Sequence, residues 1–445
     1  MKEKITKKFG ILQGISLSFG IIIGIGIYFK TPSLLAVTGN NALLGLLAWI
    51  IGFIFVMFWS FTTAEYAGTV TETGGCLSYV RETAGDLPAF IMGWGLFLVG
   101  NPALVAVLSS VAAGFIMDIF GWSGVAVNSI ITLIIVVGCF VLNTAKAEGG
   151  GKFQSIMTIV KVIPLIALVL FGLFGRNGGY LGESLSRPIQ LESGTVLTAL
   201  IAGIVPVIFS FSGWDHVANV AAEMEDPTKT VPKAIIFSTI ASAVVYIAIY
   251  LAFINAMPVE QVADNIPFGI ATTMFGSMGA KILMACIVLS AVGACNGVII
   301  STMRNPYSLA IKKLFIFPDF FAKIDEKTQV PLNSTILMFI ICIIHVAIYE
   351  TGNDLSNIGV TLNLVFMCFV YYGVIKIRKS GKGNQDSFKT PWFPLFPTVA
   401  IITSLLTILG LFLTDATTTR NTLISIAFYI LAIPAYYLMK KFEKR

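Results

Sequence analysis

Long apolar stretches separated by short polar segments recur along the whole chain, from Phe9 to Met439. Crossing a bilayer as a helix takes about 20 mostly apolar residues. Stretches near that length are predicted at 10 to 38, 43 to 64, 86 to 117, 124 to 143, 153 to 175, 196 to 222, 233 to 256, 278 to 302, 332 to 349, 356 to 376, 391 to 413 and 421 to 439. The pattern therefore predicts an all-α integral membrane protein of twelve transmembrane helices. The first stretch follows basic residues, as a signal peptide does, but Phe9 to Val37 is too long and lacks a small-residue cleavage site, so it is expected to be retained.

Composition sharpens this picture. Of 445 residues, 56% are hydrophobic and 12% charged, whereas a soluble domain carries about a quarter charged residues. The net charge of +6 is spread over short loops rather than gathered on one face, so no nucleic-acid partner is expected. An even number of spans puts both termini on one side. That side carries 23 of the 29 basic residues, the other side only Arg176, Arg187, Lys281 and Arg420, and Lys30 and Lys161 fall within spans. Lysine and arginine accumulate on the cytoplasmic side, which predicts a multi-pass protein of the cell membrane with both termini cytoplasmic. Cys76, Cys139, Cys286, Cys295, Cys342 and Cys368 show no CxxC spacing, so neither disulfide nor metal site is expected, and no cofactor.

Two spans have irregular centres. Gly20, Gly24 and Gly26 fall inside the first, where each glycine weakens a helix by about 1 kcal/mol relative to alanine. Close packing against a neighbouring helix is the competing explanation. The sixth span carries Phe209-Ser-Phe-Ser-Gly-Trp214 at its centre. Two interrupted helices, each opening a set of five, are what an inverted-repeat transporter predicts. The chain then divides into a first repeat at 1–175, a second at 195–380, and two further helices with the C-terminus at 391–445. A helix unwound at mid-membrane frees amide and carbonyl groups that lipid cannot satisfy. Its amide end suits a carboxylate and its carbonyl end an ammonium, a pair complementary to the head of any α-amino acid.

The residues around these breaks resemble the amino acid–polyamine–organocation (APC) superfamily and, within it, bacterial relatives of the L-type amino acid transporters. Gly24-Ile-Gly-Ile-Tyr28 is similar to a Gly-Ser-Gly-Ile-Phe signature. Ala64-Glu-Tyr66, Thr73-Gly-Gly75, Tyr79 and Gly85 follow its loop after span two. Asp226-Pro-Thr-Lys229 with Pro232-Lys-Ala-Ile235 follows its exit from span six. Gly293-Ala-Cys-Asn-Gly297 and Arg304-Asn-Pro-Tyr307 follow the end of span eight. The resemblance implies a LeuT-like fold of five plus five inverted helices with two more, and alternating-access transport of amino acids. By position it implies that the amides of Ile25, Gly26 and Ile27 hold the substrate carboxylate and the carbonyls of Ile22, Phe209 and Ser212 its ammonium. Ile25 replaces a Ser or Thr of many relatives, so only backbone contacts carry over there. The animal relatives' covalent partner subunit uses a cysteine between spans three and four; 118 to 125 contains none, and no such partner is expected.

Lys161 lies about 12 Å into span five. It is either a snorkelling lysine or a functional one; the resemblance implies the latter, in place of a sodium ion between span one and span eight. Phe209 is either an aromatic lid over the substrate or a packing residue. Ser210, Asn101, Cys295 and Asn296 are candidates for the side-chain pocket, although Asn and Ser also bind helix backbone in membranes. Asp215 and His216 fit a proton relay or a helix cap equally. Glu65, Glu72, Arg81, Glu223, Lys229 and Arg304 are candidates for gating ion pairs on the inner side, with solvated loop charges as the competing account. No HExxH or GxSxG motif points to an enzyme. Transport of small to medium neutral L-amino acids, sodium-independent and either exchanging or proton-coupled, is the expected function; polyamines or cationic amino acids are the alternative.

Overall fold

The computed structural model describes residues 9–145, 147–175, 178–191, 194–265, 268–348, 353–381, 383–414 and 416–443. The basic residues Lys2, Lys4, Lys7, Lys8, Lys146, Arg176, Lys382, Lys444 and Arg445, used above for orientation, lie outside them. The described chain is helical throughout, and its one β-bridge joins Phe9 to Met224. Among the described residues nine helical stretches are long and apolar enough to cross a membrane, the first of them, Ile11–Tyr28, only when counted through its break.

The first predicted span divides into α1 (Ile11–Ile22) and α2 (Gly26–Val37). At 1.5 Å per residue each is about 18 Å long, well short of a bilayer core of about 30 Å, so the two halves cross only in tandem. After α3 (Ala42–Thr69), a short α4 (Cys76–Ala84) lies before the third span. That span begins as α5 (Asp86–Gly95), widens into a π-helical turn at Leu96–Gly100 and continues as α6 (Asn101–Phe120). The helices α7 (Val125–Ala145) and α8 (Ala147–Phe174) follow, with a short α9 (Leu181–Ser186) after them.

The sixth predicted span is also divided. It holds α10 (Val196–Ser210), a turn over 211–215 and a 3-10 helix at His216–Glu223. The unwinding thus starts two residues later than Phe209, which remains in the last turn of α10. Gly213 has a left-handed φ of +107°, open to glycine and strained for other residues. From there α11 (Pro227–Ala256), the short α12 (Val259–Asn265) and α13 (Phe268–Thr302) lead to α14 (Asn305–Ile311) and α15 (Pro318–Phe321). The chain closes with α16 (Leu332–Ile348), α17 (Asn353–Lys379), α18 (Leu395–Thr414) and α19 (Ala416–Glu443). The two divided spans are central: α1 packs on α8, α11 and α13, and α10 packs on α2, α3 and α18. Lipid-sized apolar side chains such as Ile163, Val244 and Leu405 point outward from the outer helices, as a bilayer environment requires.

Candidate functional site

The first break begins where α1 runs out of helical geometry at Ile23, whose ψ is 68°. Its glycines act by proximity. A Cβ on Gly24 would stand 3.0 Å from the Ala294 Cβ, and one on Gly26 would stand 2.7 Å from the Ser210 Cα. Both readings of this glycine-rich stretch therefore hold at once: the helix is interrupted, and it is packed against its neighbours. The amides of Ile25, Gly26 and Ile27 open α2, so its first turn cannot satisfy them.

The carbonyls freed by the break meet a cation that belongs to the chain. Lys161 Nζ donates to Gly20 O at 2.6 Å and Ile23 O at 2.8 Å, with Ser290 O at 3.5 Å. Ser290 Oγ in turn donates to Ile23 O at 3.0 Å. Lys161 is 1% exposed; its ammonium reaches the broken helix and not the interface, which excludes snorkelling. Span five carries two more residues on the same side, at helical spacing: Thr158 Oγ1 donates to Ser16 O at 3.1 Å and Gln154 Nε2 to the same oxygen at 3.3 Å.

The second break faces the first. Tyr246 of α11 places its hydroxyl between the two, donating to Ile22 O and lying 3.1 Å from Ser210 O. Of the carbonyls expected to hold an ammonium, Ile22 also accepts from the Gly24 amide, and Phe209 accepts from the Ser212 amide at 2.9 Å. Phe209 O retains a second lone pair; both lone pairs of Ile22 O are taken, by the Gly24 amide and by the Tyr246 hydroxyl, which has Ser210 O as its alternative acceptor. The Phe209 ring packs under Lys30 Nζ, 4.2 Å from its centroid, a cation–π contact that joins α2 to α10.

A cavity opens beside the second break. Asn101, Leu104, Ile208, Ser212 and Gly213 line it near mid-span; Gly74, Cys76, Asp215, His216 and Asn305 line it toward the face that carries Phe9. The π-helical turn contributes Leu96 and Gly100 to its wall, and such turns concentrate at functional sites. The expected site residues thus separate into groups. Asn101 and Ser212 share the cavity. Gly26 and Ser210 pack on each other beside it. Asn296 is turned elsewhere: its side chain accepts from Asn143 Nδ2 at 2.7 Å and donates to Gln154 Oε1 at 3.0 Å. Cys295 is fully buried beside Cys139.

On the Phe9 face two carboxylates are locked. Arg304 pairs with Glu223 through both its Nε and Nη2, the latter at 2.7 Å from Oε2, and both side chains are buried. Arg378 pairs with Glu65 at 2.6 and 2.8 Å, and the Thr390 amide adds a third donor. The Phe9 backbone donates to Glu223 O and accepts from the Glu225 amide, tying the start of α1 to the exit of span six. Arg81 pairs locally with Asp86, and Lys229 with Asp226 at 3.7 Å where both are exposed. Sequence reasoning missed Tyr246, Ser290, Gln154 and Arg378, because hydroxyls and amides in apolar helices, and an arginine among other basic residues at a helix end, carry no distinguishing pattern.

Comparison with known proteins adds the following. The family described as amino acid permease matches residues 9–433. The serine/threonine exchanger SteT of Bacillus subtilis is 27% identical over 98% of both chains. The human cystine/glutamate transporter is 24% identical over the whole of this chain and 87% of its own length. The human large neutral amino acids transporter small subunit 2 is 25% identical over 83% of this chain and 68% of its own. The family and these relatives are transporters, not enzymes.

Proposed function

Since the chain belongs to the amino acid permease family, we propose that it is a sodium-independent secondary transporter of small to medium neutral L-amino acids, working by alternating access as an exchanger or with a proton. One observation carries the reading: the Lys161 ammonium, 2.6 and 2.8 Å from Gly20 O and Ile23 O. Carbonyl oxygens freed by an unwound helix demand a positive charge. A fixed lysine supplies it, and a dissolved cation becomes unnecessary. The amides of Ile25, Gly26 and Ile27 take the substrate carboxylate, and the carbonyls of Ile22, Phe209 and Ser212 its ammonium. Asn101 and Ser210 border the side chain; Phe209 acts as a lid through its contact with Lys30.

The same reading makes the fold twelve spans in a five-plus-five inverted repeat, at 1–175 and 195–380, with two helices after it. Both termini are cytoplasmic in the cell membrane, and the chain works without a covalently attached partner subunit. The printed substrates of the relatives, serine and threonine, cystine and glutamate, and large neutral amino acids, agree on the amino acid head and differ in the side chain. That difference matches a site whose head contacts are backbone. Proteoliposomes preloaded with single amino acids test it. Labelled uptake is expected with internal small or medium neutral amino acids and not with polyamines; uptake confined to polyamines or cationic amino acids would reverse the assignment.

A further inference from the structure

Beside the second break, the cavity is lined by polar groups that have no hydrogen-bond partner among the described residues. Asn305 is 4% exposed, and its Nδ2 has no hydrogen bond; the same is true of the buried Nδ1 of His216 and Oδ1 of Asn363. All three residues line the cavity. Asp215 lines it too; its carboxylate accepts from the Cys76 thiol, 3.5 Å from Oδ2, near His216 and Tyr79, and forms no salt bridge among the described residues. A buried polar atom without a partner is costly, and native proteins leave few of them. Several in one cavity mark a place where something polar binds.

We propose that this polar lining of the cavity forms a second amino acid site, distinct from the backbone amides and carbonyls of the breaks, with Asp215 receiving the ammonium and Asn305 Nδ2 donating to the carboxylate. The groups present decide the ligand class. A carboxylate without a salt bridge among the described residues calls for a cation. An amide donor beside it calls for an acceptor. An inorganic cation would leave the amide unmatched, and an anion would be repelled by Asp215; a zwitterion answers both. Leu77, Met92, Leu96 and Met367 supply an apolar wall for its side chain, and Asn219 is held in place by donating to Ser301 Oγ at 2.7 Å. Because Ser212 and Gly213 line the same cavity, an amino acid released from the breaks reaches this site before it reaches the face.

The inference rests on the transport reading, and equilibrium dialysis of the full chain in detergent separates the two. With tritiated L-serine, L-alanine and L-leucine in turn, the wild type is expected to bind two molecules per chain for the best ligand. Asp215→Asn and Asn305→Ala should each bind one. In a chain whose other five cysteines are serine, the same amino acid should protect Cys76 from a maleimide, and Asp215→Asn should abolish that protection. A wild-type stoichiometry of one, or two molecules retained in both variants, would overturn the second site alone. A wild type that binds none of the three overturns the transport reading, and the second site with it.

Discussion

Gly26 shows how a single residue joins the two breaks. Its missing side chain lets α2 approach Ser210 so closely that a Cβ would lie 2.7 Å from the Ser210 Cα, an atom of the backbone that cannot swing aside. Overpacking of this kind costs about 1–3 kcal/mol. Gly26→Ala is therefore expected to slow exchange in proteoliposomes by about tenfold or more, since each 1.4 kcal/mol is a factor of about ten in a rate. Gly138→Ala, where a Cβ meets only open space, should leave exchange unchanged; equal rates in the two variants would remove Gly26 from the site. At this scale sequence was informative where chemistry was out of place. Lys161 stood out as a charge inside an apolar span; its depth pointed away from snorkelling, and the family resemblance pointed to the broken helix whose backbone it meets. Asn296 and Cys295 looked equally promising, but which way a side chain faces depends on the rotation of its helix, and α13 turns both toward α7 and α8 and away from the cavity.

At the scale of elements, the divided helices were legible because glycine and aromatic-serine clusters interrupt the apolar runs. Their limits were less so: α10 persists through Ser210 because regular helical hydrogen bonding continues past Phe209, and the true turn is set by Gly213 at φ +107°. The π-helical turn at Leu96–Gly100 left no trace in the apolar pattern, since one extra residue per turn keeps the segment just as hydrophobic. Candidate inner-face charges were identified as a set, but their pairing needed the fold: Glu65 meets Arg378 from the far end of α17. The Glu223–Arg304 pair joins span six to the loop after α13 in a buried setting. Removing one partner of such a pair costs about 3–5 kcal/mol, whereas replacing both by uncharged groups is often close to neutral. Arg304→Ala should thus lower the melting temperature in detergent sharply, and Glu223→Gln with Arg304→Met should recover most of the loss. A double variant no more stable than Arg304→Ala would show that the pair is not the lock between these elements.

At the scale of the whole molecule, the repeated apolar stretches made a helical membrane protein readable at once, because a bilayer allows few other ways of satisfying the backbone. The packing of the two divided spans against α8, α11 and α13 on one side and α3 and α18 on the other could not be read from one-dimensional periodicity. Three spans place side chains on the breaks from outside: Lys161 from α8, Ser290 from α13 and Tyr246 from α11. The central claim is that an internal ammonium does the work of a dissolved cation in an amino acid exchanger. The most direct measurement is the initial rate of labelled amino acid counterflow into preloaded proteoliposomes, compared in sodium and in choline media. Equal rates in the two media are predicted, both well above those of empty liposomes. A rate that vanishes in choline and returns with sodium would contradict the account.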